Sequence, residues 1–476
     1  MARTIPRILI AGAQSGSGKT TLTLGLVSAL RRRGLRVQTF KVGPDYLDPT
    51  WLAAASGRPC YNLDGWMSGR GYVEGLFDRV TRNADLAVIE GAMGLFDGAQ
   101  ASGMAGSSAE IARWLQAPVA LVVNSHGMGR SIAPVVAGFA GFEKGVGIRG
   151  VIANHYGSEN HRRILDEALS SSGQPALVGA VPRMGFPELR SRHLGLLTAD
   201  PARNCTEAVL EEFTAAAERY LDLDAVLKIA GEAPSFRPIS PCPPHGEEAA
   251  FHHPFRLAVA RDEAFHFYYQ DIFDELEQRG CSIVFFSPLR ESDLPNDIDA
   301  VYLGGGYPEE FAETLASNEG MKNSLRKFAL SCRPVYAECG GLIYLSQAVT
   351  TQDGNRYPLL GILPAETQML HRRKRLGYVE VRLNKDTMWG ASGDLLRGHE
   401  FHYGELLSDP ARECGWTAAY ERRLQNGQKE TPEGFRLSNS RILASFVHLH
   451  LASRPGALDR FARLCISARS DDVLQA

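Results

Sequence analysis

The chain has 476 residues, which is too long for one ordinary hydrophobic core and predicts two or three domains. Hydrophobic residues make up 44% and charged residues 22%, the composition of a soluble globular protein, and a formal net charge of -3 argues against a general nucleic-acid binder. The eight cysteines include no C-x-x-C pair, which argues against a zinc ribbon or a disulfide framework. Because we find no signal-peptide core and no apolar run of membrane-spanning length, we expect a cytoplasmic protein without a membrane partner.

Short apolar runs and helical segments alternate through the first half of the chain. Residues 20–32 have the periodicity of a helix, and runs typical of buried strands cover residues 7–11, 37–41, 86–90, 119–124 and 150–154. This alternation predicts an α/β domain with a parallel sheet covered by helices. Because the ligands of such sheets lie at the carboxyl ends of the strands, the residues that follow each run are the candidates for chemistry.

A glycine-rich loop follows the first predicted strand. Its sequence, Gly-Ala-Gln-Ser-Gly-Ser-Gly-Lys-Thr over residues 12–20, stands between a strand and a helix, where the backbone N–H groups of a P-loop face phosphate. Lys19 is predicted to reach the outer phosphates of ATP, and Thr20 to ligate Mg²⁺. Ala13 stands where the strict pattern has glycine, but the context keeps the motif specific. The predicted nucleotide-binding residues are Gly16, Gly18, Lys19, Thr20 and Thr21.

Carboxylates follow the second and third predicted strands. Glu90 ends an apolar run as a Walker-B carboxylate does, so it is predicted to hold Mg²⁺ together with Thr20. Asp45, Asp48 and Asp97 stand in glycine- and proline-marked loops at the same edge of the sheet. Carboxylates clustered near phosphate repel one another unless a cation lies between them, which predicts one or two Mg²⁺ ions. A single loop aspartate is more often a turn cap, and only the clustering favours function.

The alternation of apolar runs and helical segments stops after residue 231. A proline-rich stretch without periodicity predicts a linker, and apolar runs at 256–260, 282–286, 300–303 and 334–337 predict a second α/β domain. The expected division is a P-loop domain over residues 1–231, a linker over 232–254, a second domain over 255–458 and a C-terminal tail over 459–476.

Cys339 follows the last of these runs and is flanked by paired glycines. A sharp strand-to-helix turn of this kind resembles a nucleophile elbow, which exposes the sulfur, and a helix N-terminus is expected to lower the pKa of the thiol. Candidates for the oxyanion hole and for contact with glutamine are Gly305, Gly306 and Gly340. His448 and His450 alternate in a strand-like run, so either one can be the base. The polar segment 398–403 holds two more histidines, for which a metal site is the weaker interpretation.

At these residues the sequence resembles the cobyrinate a,c-diamide synthase family of cobalamin biosynthesis. The resemblance runs over nearly the whole chain and includes residues 15–21, 40–49, 304–309, 338–341 and 398–403. It implies a dethiobiotin-synthetase-like P-loop domain followed by a class I type glutamine amidotransferase domain. The implied activity is amidation of the a and c acetate side chains of a corrin-type macrocycle, with two glutamines, two ATP and Mg²⁺.

The resemblance also implies roles for single residues. Cys339 matches the nucleophile of the family and His448 matches the histidine that activates it. The synthetase site, where the macrocycle binds, is implied at Asp45, Tyr46, Asp48, Asp64, Glu90 and Asp97. The expected partners are therefore small molecules, a tetrapyrrole polycarboxylate and glutamine, and a homodimer is left open.

Two departures from the family pattern leave alternatives open. His450 stands where common class I glutaminases carry glutamate, so the third member of the triad is not identified. Residues 50–52 stand in a loop expected to face the macrocycle, where many family members carry histidine, so the acceptor can also be hydrogenobyrinate, nickel sirohydrochlorin or sirohaem. A rival from another class is a regulatory P-loop ATPase with a relict glutaminase. Gln14 argues against it, since partitioning-type ATPases carry a signature lysine there.

Overall fold

A computed structural model describes residues 4–189, 191–192, 195–196, 198–199, 205–239, 254–424, 431–438 and 441–475. The chain divides into two units, residues 1–243 and 244–476. Residues 240–253, which belong to the predicted linker, lie outside the described part of the chain. Among the described helices, none combines the length and the apolar character that a bilayer span requires.

The first unit is built on a seven-stranded sheet in the order β3-β2-β4-β1-β5-β6-β7, in which all neighbours are parallel. Its strands are β1 (Arg7–Gly12), β2 (Val37–Val42), β3 (Tyr61–Leu63), β4 (Leu86–Gly94), β5 (Val119–Asn124), β6 (Ile148–Tyr156) and β7 (Leu177–Pro182), with a separate pair β8 (Ser191–Arg192) and β9 (Gly195–Leu196). Its helices are α1 (Lys19–Arg32), α2 (Asp48–Ser56), α3 (Gly65–Val80), α4 (Ser108–Trp114), α5 (Ile132–Phe142), α6 (Glu159–Ser171), α7 (Glu207–Tyr220) and α8 (Leu223–Gly231). The predicted parallel sheet is confirmed.

Helices cover both faces of this sheet, which explains why its strands are largely buried and mostly apolar. Every residue of β1 is buried. On one face Leu9 belongs to a core with Phe40, and on the other Ile10 belongs to a core with helix α1 and Trp51. The two cores hold β1, β2 and β4 side by side, so the loops that follow these strands meet at one edge.

The second unit contains a ten-stranded mixed sheet in the order β11-β10-β12-β13-β22-β21-β20-β17-β18-β23, and its first five strands are parallel. The strands are β10 (Phe255–Ala260), β11 (Cys281–Phe286), β12 (Ala300–Leu303), β13 (Val335–Glu338), β14 (Ala348–Thr350), β15 (Arg356–Pro358), β16 (Thr367–Met369), β17 (Arg375–Leu383), β18 (Leu395–His402), β19 (Gly404–Leu406), β20 (Trp416–Leu424), β21 (Thr431–Leu437), β22 (Ile442–Ser445) and β23 (His448–Leu449). The helices are α9 (Gln270–Gln278), α10 (Ala312–Ser317), α11 (Glu319–Leu330), α12 (Gly340–Leu345) and α13 (Ala457–Gln475), and short 3₁₀ helices cover Pro308–Phe311, Pro410–Arg412 and Leu451–Ser453.

The predicted linker and the predicted C-terminal tail do not separate from the two domains as the composition suggested. Arg7 is fully buried, donates to the carbonyl oxygen of Pro234 at 2.9 Å and lies 5.5 Å from the ring centre of Phe236, so the start of the predicted linker packs on the first unit. The predicted C-terminal tail lies within helix α13, whose Phe461 and Cys465 are buried. Apolar contacts therefore extend beyond both expected boundaries.

Candidate active sites of the two units

The glycine-rich loop of the first unit joins β1 to α1, and the first turn of α1 holds Lys19, Thr20 and Thr21. Gly16 and Gly18 adopt φ angles of 72° and 92°, which glycine takes without strain, and Gly18 turns the chain into the helix. The side-chain amide of Asn154 donates to the carbonyl oxygen of Ser17 at 3.0 Å and fixes the loop. The role of Asn154 was not foreseen, although its place at the end of an apolar run was the available signal.

The end of β4 runs beside this loop. Gly12 of β1 pairs in register with Gly94 of β4. Lys19 donates to the carbonyl oxygen of Met93 at 2.5 Å, and burial lowers the pKa of its ammonium group. The carboxylate of Asp97 accepts from the N–H of Gly94 at 2.8 Å, so Asp97 lies in the turn that flanks the loop. Lys19 and Asp97 are thus on the same edge of the sheet, as the sequence predicted.

A buried ammonium group lies among the carboxylates of this edge. The Nζ atom of Lys41 is 2.5 Å from an oxygen of Asp48, 2.8 Å from one of Glu90 and 3.9 Å from one of Asp45. The hydroxyl of Thr20 is 2.7 Å from Glu90 and 3.2 Å from Asp48. The predicted clustering is observed, and Lys41 supplies the cation in this arrangement.

Burial and the opposite charges nearby shift the pKa values of this cluster in opposite directions. Burial raises the pKa of Glu90 to about 7, although Lys41 lowers it, and burial raises the pKa of Asp45 to about 6. Burial lowers the pKa of the Lys41 ammonium, but the carboxylates around it outweigh that effect and hold it well above its usual value. Lys41 therefore stays charged, whereas Glu90 and Asp45 can exchange protons near neutral pH.

The same edge offers oxygen donors that fit Mg²⁺. The Oε2 atom of Glu90 is buried and has no hydrogen-bond partner among the described residues. The hydroxyl of Thr20 and the carboxylate of Asp48 lie next to the other oxygen of Glu90. Hydroxyl and carboxylate oxygens are the ligands that Mg²⁺ prefers, so the residues present fit the predicted ion.

Two of the predicted acids also shape the backbone. Asp45 accepts from the N–H groups of Leu47 and Asp48 at 2.8 and 3.0 Å, so it caps the turn that enters α2 while its other oxygen faces Lys41. Asp64 is the N-cap of α3 and accepts from the N–H of Met67 at 2.8 Å. Capping explains the position of Asp64, and its assignment to the synthetase site stays a prediction.

The segment expected to face the macrocycle is a helix rather than a loop. Asp48–Ser56 forms α2, and Trp51 on this helix is buried in the core against α1. The expectation that residues 50–52 form a loop that faces the macrocycle is therefore wrong for Trp51, since its large apolar side chain fills the interior. Tyr46 lies between Asp45 and Asp48 in the chain, just before the helix, and its side chain is buried, with 8% of its surface exposed.

Cys339 lies on a sharp turn between β13 and α12 in the second unit. Its φ and ψ angles are 47° and −97°, a strained conformation for a residue other than glycine, as in a nucleophile elbow. A Cβ atom on Gly340 would lie 3.0 Å from the backbone nitrogen of Gly306, and one on Gly341 would overlap the carbonyl oxygen of Leu303. Both glycines let the loop that follows β12 lie directly against the cysteine turn.

The electrostatics of the turn differ from the expectation. Burial raises the pKa of the Cys339 thiol, and the carboxylates of Glu309 and Glu338 raise it further. The backbone N–H of Gly340, at the start of α12, lowers the pKa by less than these effects raise it, so the expected net lowering is wrong for the protein without substrate. Cys339 rests as a thiol and needs a base to react.

The structure distinguishes the two candidate histidines. His448 is fully buried in β23, and the glycine loop contacts it, because a Cβ on Gly305 would overlap the ring. The Nδ1 atom of His448 is 3.9 Å from a carboxylate oxygen of Glu338. His450 instead lies 3.4 Å from the carboxylate of Asp271. His448 therefore shares the glycine loop with Cys339, whereas His450 belongs to a separate buried pair.

Glu338 is a further candidate residue at this turn that was not predicted from the sequence. Its carboxylate accepts from the hydroxyls of Tyr302 and Tyr336 at 2.7 and 2.5 Å and from the N–H of Leu449 at 3.2 Å. Burial raises its pKa to about 7. The available signal was its place at the carboxyl end of β13, immediately before the nucleophile.

The two histidines of the polar segment 398–403 pack around this site. The ring of His399 stacks on that of His448 at 4.9 Å, and the Nδ1 atom of His402 lies 2.7 Å from the carbonyl oxygen of Gly404. Within the parts of the chain that the structure describes, no group of three or more His, Cys, Asp or Glu side chains is arranged to hold a metal ion. The contacts of His399 and His402 are those of packed side chains.

Both units match family models. Residues 8–196 match the CobQ/CobB/MinD/ParA nucleotide binding domain, and residues 256–456 match the CobB/CobQ-like glutamine amidotransferase domain. The first unit therefore contains a nucleotide-binding domain and the second a glutamine amidotransferase domain, which confirms the predicted fold class.

The whole chain is similar to curated proteins. It is 51% identical to a cobyrinate a,c-diamide synthase of Syntrophotalea carbinolica, with 97% of this chain and 98% of the relative covered. It is 40% identical to proteins of the same name from Leptospira interrogans, over 97% of this chain and 99% of the relative, and from Dehalococcoides mccartyi, over 96% and 98%. Each likeness spans both units.

Proposed function

The chain belongs to the cobyrinate a,c-diamide synthase family of glutamine-hydrolysing carbon–nitrogen ligases, and we propose that it amidates the a and c acetate carboxylates of cobyrinate with nitrogen from glutamine and energy from ATP. The observation that carries the proposal is the presence in one chain of two chemically distinct sites. One combines a P-loop with Lys41 and its carboxylates, and the other combines Cys339 with His448. We also propose a P-loop domain over 1–231 that the segment around Pro234 and Phe236 extends, and an amidotransferase domain over 255–458 that helix α13 extends, a division that the family matches at 8–196 and 256–456 support.

In the second unit the reaction begins with glutamine at Cys339. His448 takes the thiol proton, and the thiolate attacks the amide carbon of glutamine. The negative oxygen that forms faces the backbone N–H groups of Gly340 and Gly306, which the glycine contacts bring together. His448 returns its proton to the leaving nitrogen, ammonia departs and a thioester remains, which water then hydrolyses to glutamate.

We assign to Glu338 the third place in this triad. Its carboxylate faces the Nδ1 atom of His448 at 3.9 Å, which leaves Nε2, on the opposite edge of the ring, for the sulfur. Burial strongly lowers the pKa of His448, so the imidazolium that forms during the reaction needs a nearby negative charge. The hydroxyls of Tyr302 and Tyr336 hold the carboxylate of Glu338 in place.

In the first unit a substrate carboxylate oxygen attacks the γ-phosphate of ATP and ADP leaves, which produces an acyl phosphate. Backbone N–H groups of the P-loop and the ammonium of Lys19 bind the phosphates. Thr20, Asp48 and Glu90 would hold Mg²⁺, which neutralises charge on the phosphates.

Ammonia then attacks the acyl carbon and phosphate leaves as the C–N bond forms. The attacking nitrogen must lose one proton, and Asp45 can accept it, because burial raises its pKa to about 6. The cluster around Lys41 thus serves both the binding of phosphate and the removal of the proton. Tyr46 stands between Asp45 and Asp48 and is proposed to contact the macrocycle, with Asp64 and Asp97 as further members of the site.

The test is amidation of a substrate panel, read by mass spectrometry. Cobyrinate, hydrogenobyrinate, sirohydrochlorin and sirohaem are incubated with ATP, Mg²⁺ and either glutamine or ammonia. We expect two amides on cobyrinate from either nitrogen source and none with Lys19→Ala protein. Amidation of another macrocycle alone would reassign the acceptor. Absence of ammonia release from glutamine, even with ATP and macrocycle present, would favour the regulatory ATPase.

A further inference from the structure

Glu309 presents a buried carboxylate oxygen that its surroundings do not satisfy. It lies on the 3₁₀ helix Pro308–Phe311. Its Oε2 atom is shielded from solvent and has no hydrogen-bond partner among the described residues. Burial raises the pKa of Glu309 to about 7, so the carboxylate is ionised at neutral pH and above in a substantial fraction of molecules. A buried charge without a partner is destabilising, which indicates that the partner arrives from outside the chain.

The position of Glu309 connects it to the glutaminase site. The ring of Pro308 faces the cysteine turn, since a Cβ atom on Gly340 would lie 2.9 Å from its Cδ atom. Glu309 directly follows Pro308 on this short helix, so its side chain starts beside the cysteine turn, and its negative charge raises the pKa of the Cys339 thiol. The carboxylate of Glu309 therefore lies near the nucleophile rather than on a remote surface.

We propose that the carboxylate of Glu309 binds the α-ammonium group of the glutamine that reacts at Cys339. The inference rests on the proposed function, because it identifies a contact of the same substrate. The α-ammonium is the only cation in glutamine, and two methylene groups and the α-carbon separate it from the amide carbon that the sulfur attacks. A carboxylate beside the nucleophile is thus within reach, and a charge-assisted hydrogen bond satisfies the orphaned oxygen.

This contact also changes the nucleophile. Without substrate, the negative charge of Glu309 disfavours the thiolate of Cys339. When the ammonium binds, it offsets that charge, and transfer of the thiol proton to His448 becomes easier. Glu309 then selects amino-acid amides over other primary amides in two ways, through binding and through activation of the thiol.

The experiment compares two substrates with three proteins. L-glutamine and glutaramate, which carries hydrogen in place of the α-ammonium, are hydrolysed by wild-type, Glu309→Gln and Glu313→Gln protein. Glu313 lies on the exposed side of α10, so its substitution removes the same charge away from the site. We expect Glu309→Gln to raise KM for glutamine and to lower kcat/KM about 10- to 100-fold, with little effect on glutaramate. The preference for glutamine should therefore collapse in Glu309→Gln alone.

The outcomes separate this inference from the proposed function. Ammonia-dependent amidation should remain at the wild-type rate in Glu309→Gln, which shows that the first unit is intact, and wild-type hydrolysis of glutaramate shows that the second unit is folded. If Glu309→Gln keeps the wild-type preference for glutamine, or loses activity equally on both substrates, the ammonium contact is wrong and the proposed function stands. If wild-type protein hydrolyses no glutamine, both are wrong.

Discussion

Removal of the ammonium group of Lys41 is expected to destabilise the first unit strongly. In Lys41→Met the carboxylates of Asp48 and Glu90 lose a cation at 2.5 and 2.8 Å, while methionine keeps a similar length and volume. The exposed fractions of the three side chains are 4% for Lys41, 13% for Asp48 and 0% for Glu90, so water cannot replace the lost interaction. Breaking a buried ion pair from one side costs about 3–5 kcal/mol.

The size of this effect should depend on pH. Burial already raises the folded-state pKa of Glu90 from 4.5 to about 7. The stability that protonated Glu90 contributes is therefore fully present below pH 4.5 and is lost as the pH rises towards 7. Lys41 opposes that shift and holds the pKa of Asp48 below its usual value, so its removal moves the pKa of both carboxyl groups upward. In acid, protonation of Glu90 and Asp48 removes the unpaired negative charges. The loss of stability in Lys41→Met should therefore be smaller at pH 5 than at pH 8.

The assay is hydrogen exchange of β4, Leu86–Gly94, in protein without nucleotide or divalent ions. The slowest amides of this central strand report the free energy of opening of the unit. At pH 8 a loss of about 3–5 kcal/mol accelerates their exchange roughly a hundred- to several-thousand-fold relative to wild type. The double variant Lys41→Met/Glu90→Gln should recover part of the loss. Wild-type exchange rates in Lys41→Met, or a deficit equal at pH 5 and pH 8, would refute the reasoning.

The other expectations concern the second unit. Glu338→Gln keeps the shape of the side chain but removes the charge that faces His448, so kcat for glutamine hydrolysis should fall about 10- to 1,000-fold while the thermal unfolding of the protein is unchanged. A loss of thermal stability that accompanies the loss of activity would show a purely structural role. Gly341→Ala places a methyl group on the carbonyl oxygen of Leu303, so the cysteine turn must shift, with a loss of about 1–3 kcal/mol in stability and of most glutaminase activity. Thermal unfolding and ammonia release measure the two effects, and a fully active, stable Gly341→Ala would contradict the close approach.

The edge of the first sheet could be predicted largely from sequence, because parallel strands bring their carboxyl ends together. Thr20, Asp48 and Glu90 lie as far apart as 70 residues in the chain and still meet, as the apolar runs indicated. The role of Lys41 could not be predicted in the same way. A lysine at the end of a strand gives no indication of its burial, and its contact with Glu90 depends on the register of β2 against β4. Trp51 shows the converse, since a helix of apolar residues was taken for a ligand-facing loop.

The cysteine turn could also be predicted, because a strand, a cysteine and paired glycines specify it locally. The spacing alone could not choose between His448 and His450, since the two differ only in their tertiary partners, Glu338 and Asp271, and only the family resemblance selected His448. Glu338 at the end of β13 and Asp271 on helix α9 are far from the two histidines in the chain, and only the tertiary fold brings them close. For the same reason the sequence did not indicate Glu338, whose proposed role depends on β23 lying near the end of β13.

The most direct test of two cooperating sites is amidation by Cys339→Ala protein with glutamine or with ammonia as the nitrogen source. Cys414→Ala, which removes an exposed cysteine of the same unit, is the control. We expect Cys339→Ala to form no amide from glutamine and to form it from ammonia at the wild-type rate, with the control active on both. Amide formation from glutamine by Cys339→Ala, or failure of ammonia to restore it, would contradict the account.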